Sequence, residues 1–428
     1  MRFFLFWRLF KSNHIKPRHK KYIFLAMSVM CLECLDIIVY ISNANSITEI
    51  YLPAHIEHFI GLVILLFILW ISNLLGRTIY NKALHQFPQV FLSRLGLLIS
   101  AFSIAISLGA LSWIVIYLCA THFYKALFLM LICRLIYQIS LNIVIHNTYE
   151  SILAMPDLAN EFVALIVNSL ELSLLLGVIG YKIIAHLPFS KLDSLMAFIL
   201  AIAVAWAVLG VVMYLNSPPQ TKLATSEKPI TVEMMTHFNS KDSLISTLLV
   251  GMKSSLSIIG VIYMPTYLMH NLNLNSHLAS YTLGVSSLFA LLLNIWVNQH
   301  LHKFDYISIV RYGLSGVIIA SILSYLLFIF HIAPLISVAI IIIFHSLFTL
   351  ACPIILGNLF SPQTRAVAII SCYRDSFFIF SSVTFAAIIL FTQVLQNYIF
   401  PPVIFLLIIM SVCYVCMLLV KNHQPQLT

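Results

Sequence analysis

Glu33, Asp36 and Tyr40 stand at successive helical intervals inside a stretch, 22–43, that is otherwise apolar enough to cross a membrane. Positions three and four apart share one face of a helix, so two carboxylates and a phenol line a single stripe. A carboxylate at the centre of a bilayer costs about 2.5–3.5 kcal/mol on insertion scales. Two of them on one helix point to a polar face turned toward a protein-lined cavity. Carboxylates in such places carry protons. Held close together in a low dielectric, they favour sharing one proton over bearing two charges.

Other ionisable residues fall inside apolar stretches in the same way. Arg134 carries a planar donor fork that suits a carboxylate, either that of Asp36 or one on a bound anionic solute. Glu171 is a further candidate for the proton or solute path. Lys253 lies about ten residues, roughly 15 Å, from the near end of its span. That depth is too great for easy snorkelling, so Lys253 is expected to anchor a solute or to pair with a carboxylate. Arg374 and Asp375 are adjacent, hence about 100° apart on a helix, and are candidates for a gate bridge. Tyr263 and Tyr267 flank Pro265, which can kink its span, and are expected at the outer cavity. The sixteen histidines fall mostly in loops or at span edges.

The elements that must position these residues follow from composition. Of 428 residues, 61% are hydrophobic and 9% charged. A soluble domain carries about 25% charged residues, so the chain reads as an all-α polytopic membrane protein. Apolar windows of about 20 residues recur. Spans are expected near 22–43, 57–76, 90–118, 125–148, 161–186, 194–215, 243–270, 277–298, 307–330, 333–358, 367–393 and 398–420. The third and fourth are the hardest to separate. The stretch 216–242, with Pro218, Pro219, Lys222, Lys228 and Lys241, reads as a cytoplasmic linker between two six-helix halves, 22–215 and 243–420. Residues 1–21 form a basic N-terminus and 421–428 a short tail.

The net charge of +9 does not point to nucleic acid, because its position matches membrane topology. Arg2, Arg8, Lys11, Lys16, Arg18, Lys20 and Lys21 precede the first span. With both termini cytoplasmic, Arg77, Lys82, Arg94, Lys303, Arg311, Arg365 and Lys421 also fall inside, against Lys125, Lys182 and Lys191 outside. No cleavable secretory signal is expected, since the basic stretch leads into a full-length span. Cys31-x-x-Cys34 and Cys413-x-x-Cys416 have redox spacing but lie within spans, so they read as small apolar fillers. No metal-site spacing is present, and no cofactor is expected. His300-x-x-x-x-Asp305 has the spacing of some acyltransferases, but no nucleophile or metal constellation accompanies it, so no enzyme is expected.

Several segments, in order, resemble the metabolite:H+ symporters of the major facilitator superfamily, the branch with proline/betaine, dicarboxylate and shikimate transporters. Glu33-Cys-Leu-Asp36-Ile-Ile-Val-Tyr40 is similar to that family's E-W-F-D-F-x-x-Y, and Tyr51-Leu52-Pro53 to its F-F-P. Ile132-Cys133-Arg134-Leu135-Ile136-Tyr137-Gln138 resembles I-C-R-x-x-Q-G in the fourth helix. Asn168-Ser169-Leu170-Glu171 with Gly177 resembles S-W-L-D with a later glycine. Tyr263-Met264-Pro265-Thr266-Tyr267-Leu268 is similar to Y-M-P-T-Y-L. Ser361-Pro362-Gln363-Thr364-Arg365 with Tyr373 resembles F-P-T-x-x-R with Y-N.

The resemblance implies twelve transmembrane helices in two six-helix halves that rock about a midplane site, acting as a monomer. It implies proton symport of an organic acid, amino acid or betaine-like solute. The basic N-terminus and the expected lack of a cleavable signal suit a bacterial inner membrane. Glu33, Asp36 and Glu171 would couple protons, and Tyr40, Arg134, Lys253, Tyr263 and Tyr267 would hold the solute. The gate loops depart from the family. In the loop Asn81-Lys82-Ala83-Leu84-His85-Gln86-Phe87-Pro88-Gln89, His85 stands where an aspartate is usual and Gln89 where an arginine is usual. In the second loop His302 takes the aspartate position and the arginine pair is missing. A neutral histidine cannot hold an arginine as a carboxylate does. The departures motivate a second expectation, a solute sensor or scaffold derived from a transporter.

Overall fold

The computed structural model describes residues 24–33, 35–36, 39–40, 58–87, 93–118, 122–153, 176, 191–216, 240–257, 259, 285, 288–293, 296, 306–330, 336, 339–341, 343–345, 347–348, 359, 376, 380, 383–384, 386–392, 394–397 and 400–421. The described chain is almost entirely helical. We number its long helices α1 (Phe24–Glu33, with Leu35, Asp36, Val39 and Tyr40 also helical), α2 (His58–Gln86), α3 (Arg94–Trp113), α4 (Phe123–Leu153), α5 (Lys191–Asn216), α6 (Ser240–Ser257), α7 (Tyr306–Ile329) and α8 (Phe400–Lys421). Shorter helical stretches lie within the expected eighth, tenth and eleventh spans. The described residues do not fix the expected count of twelve; of the expected linker 216–242, residues 217–239 lie outside the described residues, residue 216 ends α5 and residues 240–242 open α6.

The helices invert the soluble pattern. On α3 the buried face carries small and hydroxyl residues, Gly96, Ser100, Ala101, Ser107 and Ser112, beside Leu97, Ile104, Leu108 and Leu111. The opposite face exposes Leu95, Ile99, Phe102, Ile106 and Trp113. Lipid is as apolar as leucine, so helices associate through close packing of small residues. The buried hydroxyls turn onto their own helix: Ser100 Oγ donates to the Gly96 carbonyl at 2.7 Å and Ser112 Oγ to that of Leu108 at 3.0 Å. Helix α3 packs against α4 and α5, α2 against α4, and α8 against α6 and α7. Among the described helices, stretches of α3, α4 and α5 are long and apolar enough to cross a membrane.

Helix ends follow local chemistry. Ser93 caps α3, its Oγ accepting from the Gly96 amide at 2.8 Å. A π-turn over Ile114–Leu118 follows α3, and α4 begins at Phe123, so the third and fourth spans separate there. Gln396 takes a left-handed φ of 49°, and Asn397 Oδ1 accepts from the Phe400 amide at 2.9 Å, capping α8. Pro401 and Pro402 then occupy the first turn, where missing N–H donors cost nothing.

One sequence expectation is corrected. Hydropathy ends the second span near residue 76 and puts His85 in the following loop. Helix α2 instead runs to Gln86. No proline or glycine interrupts 77–86, and Pro88 is the first residue that bars continuation. His85 therefore belongs to a helix.

Candidate functional site

The first stripe read from sequence is present and buried. Glu33, Asp36 and Tyr40 are all withdrawn from the surface, as is Arg134 on α4. Arg134 Nη1 donates to Asp36 Oδ2 at 2.5 Å, and the two side chains are only 2% and 3% exposed. The guanidinium carbon lies 4.3 Å from the centre of the Tyr40 ring and 5.4 Å from that of Tyr137. Cation–ring contacts of this kind are worth roughly 0.5–2 kcal/mol, more when water is excluded. The guanidinium is thus held by one carboxylate at its edge and by two aromatic rings.

The supporting contacts explain why the pair sits here. The Tyr40 hydroxyl donates to the Leu65 carbonyl of α2 at 3.0 Å, fixing α1 to α2. Gly76 of α2 meets α4 at Gln138, one turn beyond Arg134. A methyl group added at Gly76 would lie 2.8 Å from the Gln138 Cβ, so the α2–α4 approach requires the missing side chain. Tyr137 lies within the electrostatic range of Asp36 and of Glu33, which brings the second carboxylate into the same neighbourhood. Arg134 Nε and both amide atoms of Gln138 are buried without a hydrogen-bond partner, so the interior of α4 holds polar capacity that its own chain does not use.

Lys253 lies on α6 and is 1% exposed. Its neighbour is a residue that sequence reasoning passes over. The His345 ring is hydrogen-bonded to the backbone of Lys253 and feels its charge. His345 is hidden among histidines that read as loop residues, although its run, Ile340 to Phe344, is uninterrupted apolar sequence. Phe344 and Phe348 flank it and pack into Gly316 and Gly313 of α7. Tyr137 and Gln138 lie inside a quoted motif that assigns them no role.

Glu171, Tyr263, Tyr267, His302, Arg374 and Asp375 lie outside the described residues, and for His85 only the backbone is described. The structure therefore brings together Asp36, Arg134 and Tyr40 with Glu33 nearby, and separately Lys253 with His345. Cys413 and Cys416 are both buried.

No protein-family pattern matches the chain, and no curated relative is detected by sequence. Solved structures do match. A double-tryptophan mutant of XylE superposes with a TM-score of 0.72 at 14% identity, covering 96% of each chain. The xylose transporter XylE from E. coli, in a partially occluded inward-open state, gives 0.65 at 14% identity over 95% of this chain and 98% of its own. The human organic anion transporter MFSD10 gives 0.67 at 13% identity over 95% and 100%. The chain has the major facilitator fold.

That fold makes the chain an integral membrane protein, in keeping with its composition and its lipid-facing apolar side chains. Asp36 lies on α1 and Arg134 on α4. The ion pair therefore joins two helices far apart in sequence and deep in the protein.

Proposed function

We propose that this chain is a proton-coupled secondary transporter of a small polar organic solute, working by alternating access. The observation that carries the reading is the buried Asp36–Arg134 pair between α1 and α4. It lies in a fold shared with XylE, which one of the matching structures names as a proton:xylose symporter.

The pair supplies a coupling device from elementary electrostatics. Two unit charges 4 Å apart attract by about 4 kcal/mol at an effective dielectric of about 20. A proton arriving on Asp36 removes that attraction and leaves Arg134 charged. The carboxylate of an incoming solute can then replace the lost partner. Each ligand favours the other, and the linkage is reciprocal. Release of both on the far side restores the pair. Glu33 is a second proton site beside the first, and Tyr40 holds the guanidinium while its partner changes. Glu171, Tyr263 and Tyr267 belong to the same proposed path, with Arg374 and Asp375 at the gate.

The proposed solutes are organic acids, amino acids or betaine-like osmolytes. The proposed setting is a bacterial inner membrane, with a monomer whose termini are both cytoplasmic and whose two halves, 22–215 and 243–420, rock about the site. Uptake into proteoliposomes under an imposed pH gradient tests this, with labelled proline, betaine, citrate, 2-oxoglutarate and shikimate. Uptake that collapses with a protonophore supports symport.

A second reading, a solute sensor that does not transport, draws on His85 and His302 in place of gate aspartates. Restoring aspartate at both positions discriminates the two. A gain in flux favours transport, whereas unchanged zero flux with intact ligand binding favours the sensor.

A further inference from the structure

We propose that Gln138 is a positioning residue for the coupling step: when Asp36 takes up a proton, the Gln138 amide oxygen accepts from Arg134 Nε and holds the guanidinium on α4 until a solute or a recharged Asp36 reclaims it. The proposal rests on the transporter reading and adds the interim acceptor that an exchange of partners needs.

The first observation is a matched pair of unspent groups. Arg134 Nε is a donor and Gln138 Oε1 an acceptor, and both are buried with no hydrogen-bond partner among the described residues. Gln138 is 0% exposed. A guanidinium offers donors alone, whereas an amide oxygen has two lone pairs to receive them. In a low-dielectric interior an unmade hydrogen bond is costly, so each group gains from meeting the other.

The second observation is reach. Residues 134 and 138 are neighbours on one face of α4, their Cβ atoms about 5–6 Å apart by helical geometry. Long side chains on a helix lean toward its N-terminus, so the Gln138 side chain lies over the turn that carries Arg134. The two can meet by side-chain rotation, with no movement of backbone. Helix α2 closes over this turn without a side chain of its own, since a Cβ built at Gly76 would lie 2.8 Å from the Gln138 Cβ. Polar neighbours along the two helices turn to backbone carbonyls instead. Asn142 Nδ2 donates to the Gln138 carbonyl at 2.7 Å, and Ser72 Oγ to that of Leu69 at 3.0 Å.

The third observation is what holds the guanidinium away from Gln138. Its Nη1 is drawn to Asp36 on α1, and its carbon lies 4.3 Å from the centre of the Tyr40 ring. The titratable groups on the elements packed around it are Glu33, Asp36 and Tyr40 on α1, Arg77 and Tyr80 on α2, Arg94 at the first residue of α3, and Cys133 and Tyr137 on α4. Of these, Asp36, Tyr40 and Tyr137 act on the guanidinium, and Asp36 is the one carboxylate among the three. A proton on Asp36 therefore removes the charge that draws Arg134 toward α1. The unspent acceptor one turn along its own helix then becomes the better partner.

The test is a double-mutant cycle on the purified full-length protein, read as thermal unfolding at neutral pH. Asp36→Asn stands in for the proton-loaded carboxyl. Gln138→Leu should lower Tm more in the Asp36→Asn background than in the wild type, because only there does the amide hold the guanidinium. Equal losses in both backgrounds would assign Gln138 to packing and overturn the proposal. If that double variant does not fold, Asp36→Asn with Gln138→Glu decides. A carboxylate moved to α4 should raise Tm above that of Asp36→Asn alone, and no gain overturns the proposal. Transport adds a readout that packing would not move. Gln138→Leu disfavours the proton-loaded state, so the external pH of half-maximal uptake should fall by about one unit, about tenfold in proton affinity. An unchanged midpoint removes Gln138 from the coupling step. A cycle that behaves as expected, with no gradient-driven uptake by the wild type, sinks the transport reading and leaves the Arg134–Gln138 contact. Gradient-driven uptake with equal losses in both backgrounds does the reverse.

Discussion

Arg134 Nη1 lies 2.5 Å from Asp36 Oδ2, across 98 residues of sequence, with both side chains buried. Removing one member of a buried pair leaves an uncompensated charge and costs about 3–5 kcal/mol, although the intact pair contributes much less than that net. Arg134→Gln should therefore lower thermal stability in detergent markedly. The double variant Asp36→Asn with Arg134→Gln should recover much of the loss, since neither charge remains. A double variant no more stable than Arg134→Gln alone would show that the pair does not define the local energetics.

The same geometry separates two transport assays. An asparagine side chain is nearly isosteric with a protonated aspartate, so Asp36→Asn should hold the site in its proton-loaded form. Accumulation driven by a pH gradient should be lost, while exchange of labelled for unlabelled solute, which needs no net proton movement, should persist. Undiminished accumulation by Asp36→Asn would remove Asp36 from the coupling step.

How much of this is legible in the sequence depends on the residue. Glu33, Asp36, Arg134 and Lys253 stand out because a charge in an apolar run has few explanations, and all four are buried. Their partners are harder to read. The 98-residue separation of Asp36 and Arg134 leaves the fourth-helix residue with two candidate partners, Asp36 or a solute. His345 carries no formal charge at neutral pH, so it raises no alarm within its apolar run. Tyr137 and Gln138 need the rotation of α4, which hydropathy cannot supply when both faces of a helix are apolar. The end of α2 escapes hydropathy because hydropathy falls at Arg77, whereas a helix ends where its backbone is capped or blocked. Its polar last turns cost nothing once they leave the bilayer.

Close approach of α2 and α4 gives a third prediction. Any side chain at Gly76 must displace Gln138 Cβ, 2.8 Å from where its own Cβ would lie, and press on the Ile139 amide nitrogen at 3.3 Å. Overpacking of this kind typically costs about 1–3 kcal/mol. Gly76→Leu should destabilise the protein more than Gly76→Ala. It should also impair transport out of proportion to the loss of folded protein, because the displaced turn adjoins Arg134. Equal stability of wild type and Gly76→Leu would mean that the helices do not approach as closely as described.

Tyr40 offers a way to divide two contributions at one residue. Its hydroxyl donates to the Leu65 carbonyl at 3.0 Å, and its ring lies under the Arg134 guanidinium at 4.3 Å. Tyr40→Phe removes the hydrogen bond alone and should cost about 1 kcal/mol. Tyr40→Leu removes the ring as well and should cost a further 0.5–2 kcal/mol, roughly, from the lost cation–ring contact. That second increment should disappear when both substitutions are made in an Arg134→Gln background, because no cation remains for the ring to face. An increment that persists without Arg134 would assign the Tyr40 ring to packing. Its disappearance would assign the Tyr40 ring to holding the Arg134 guanidinium.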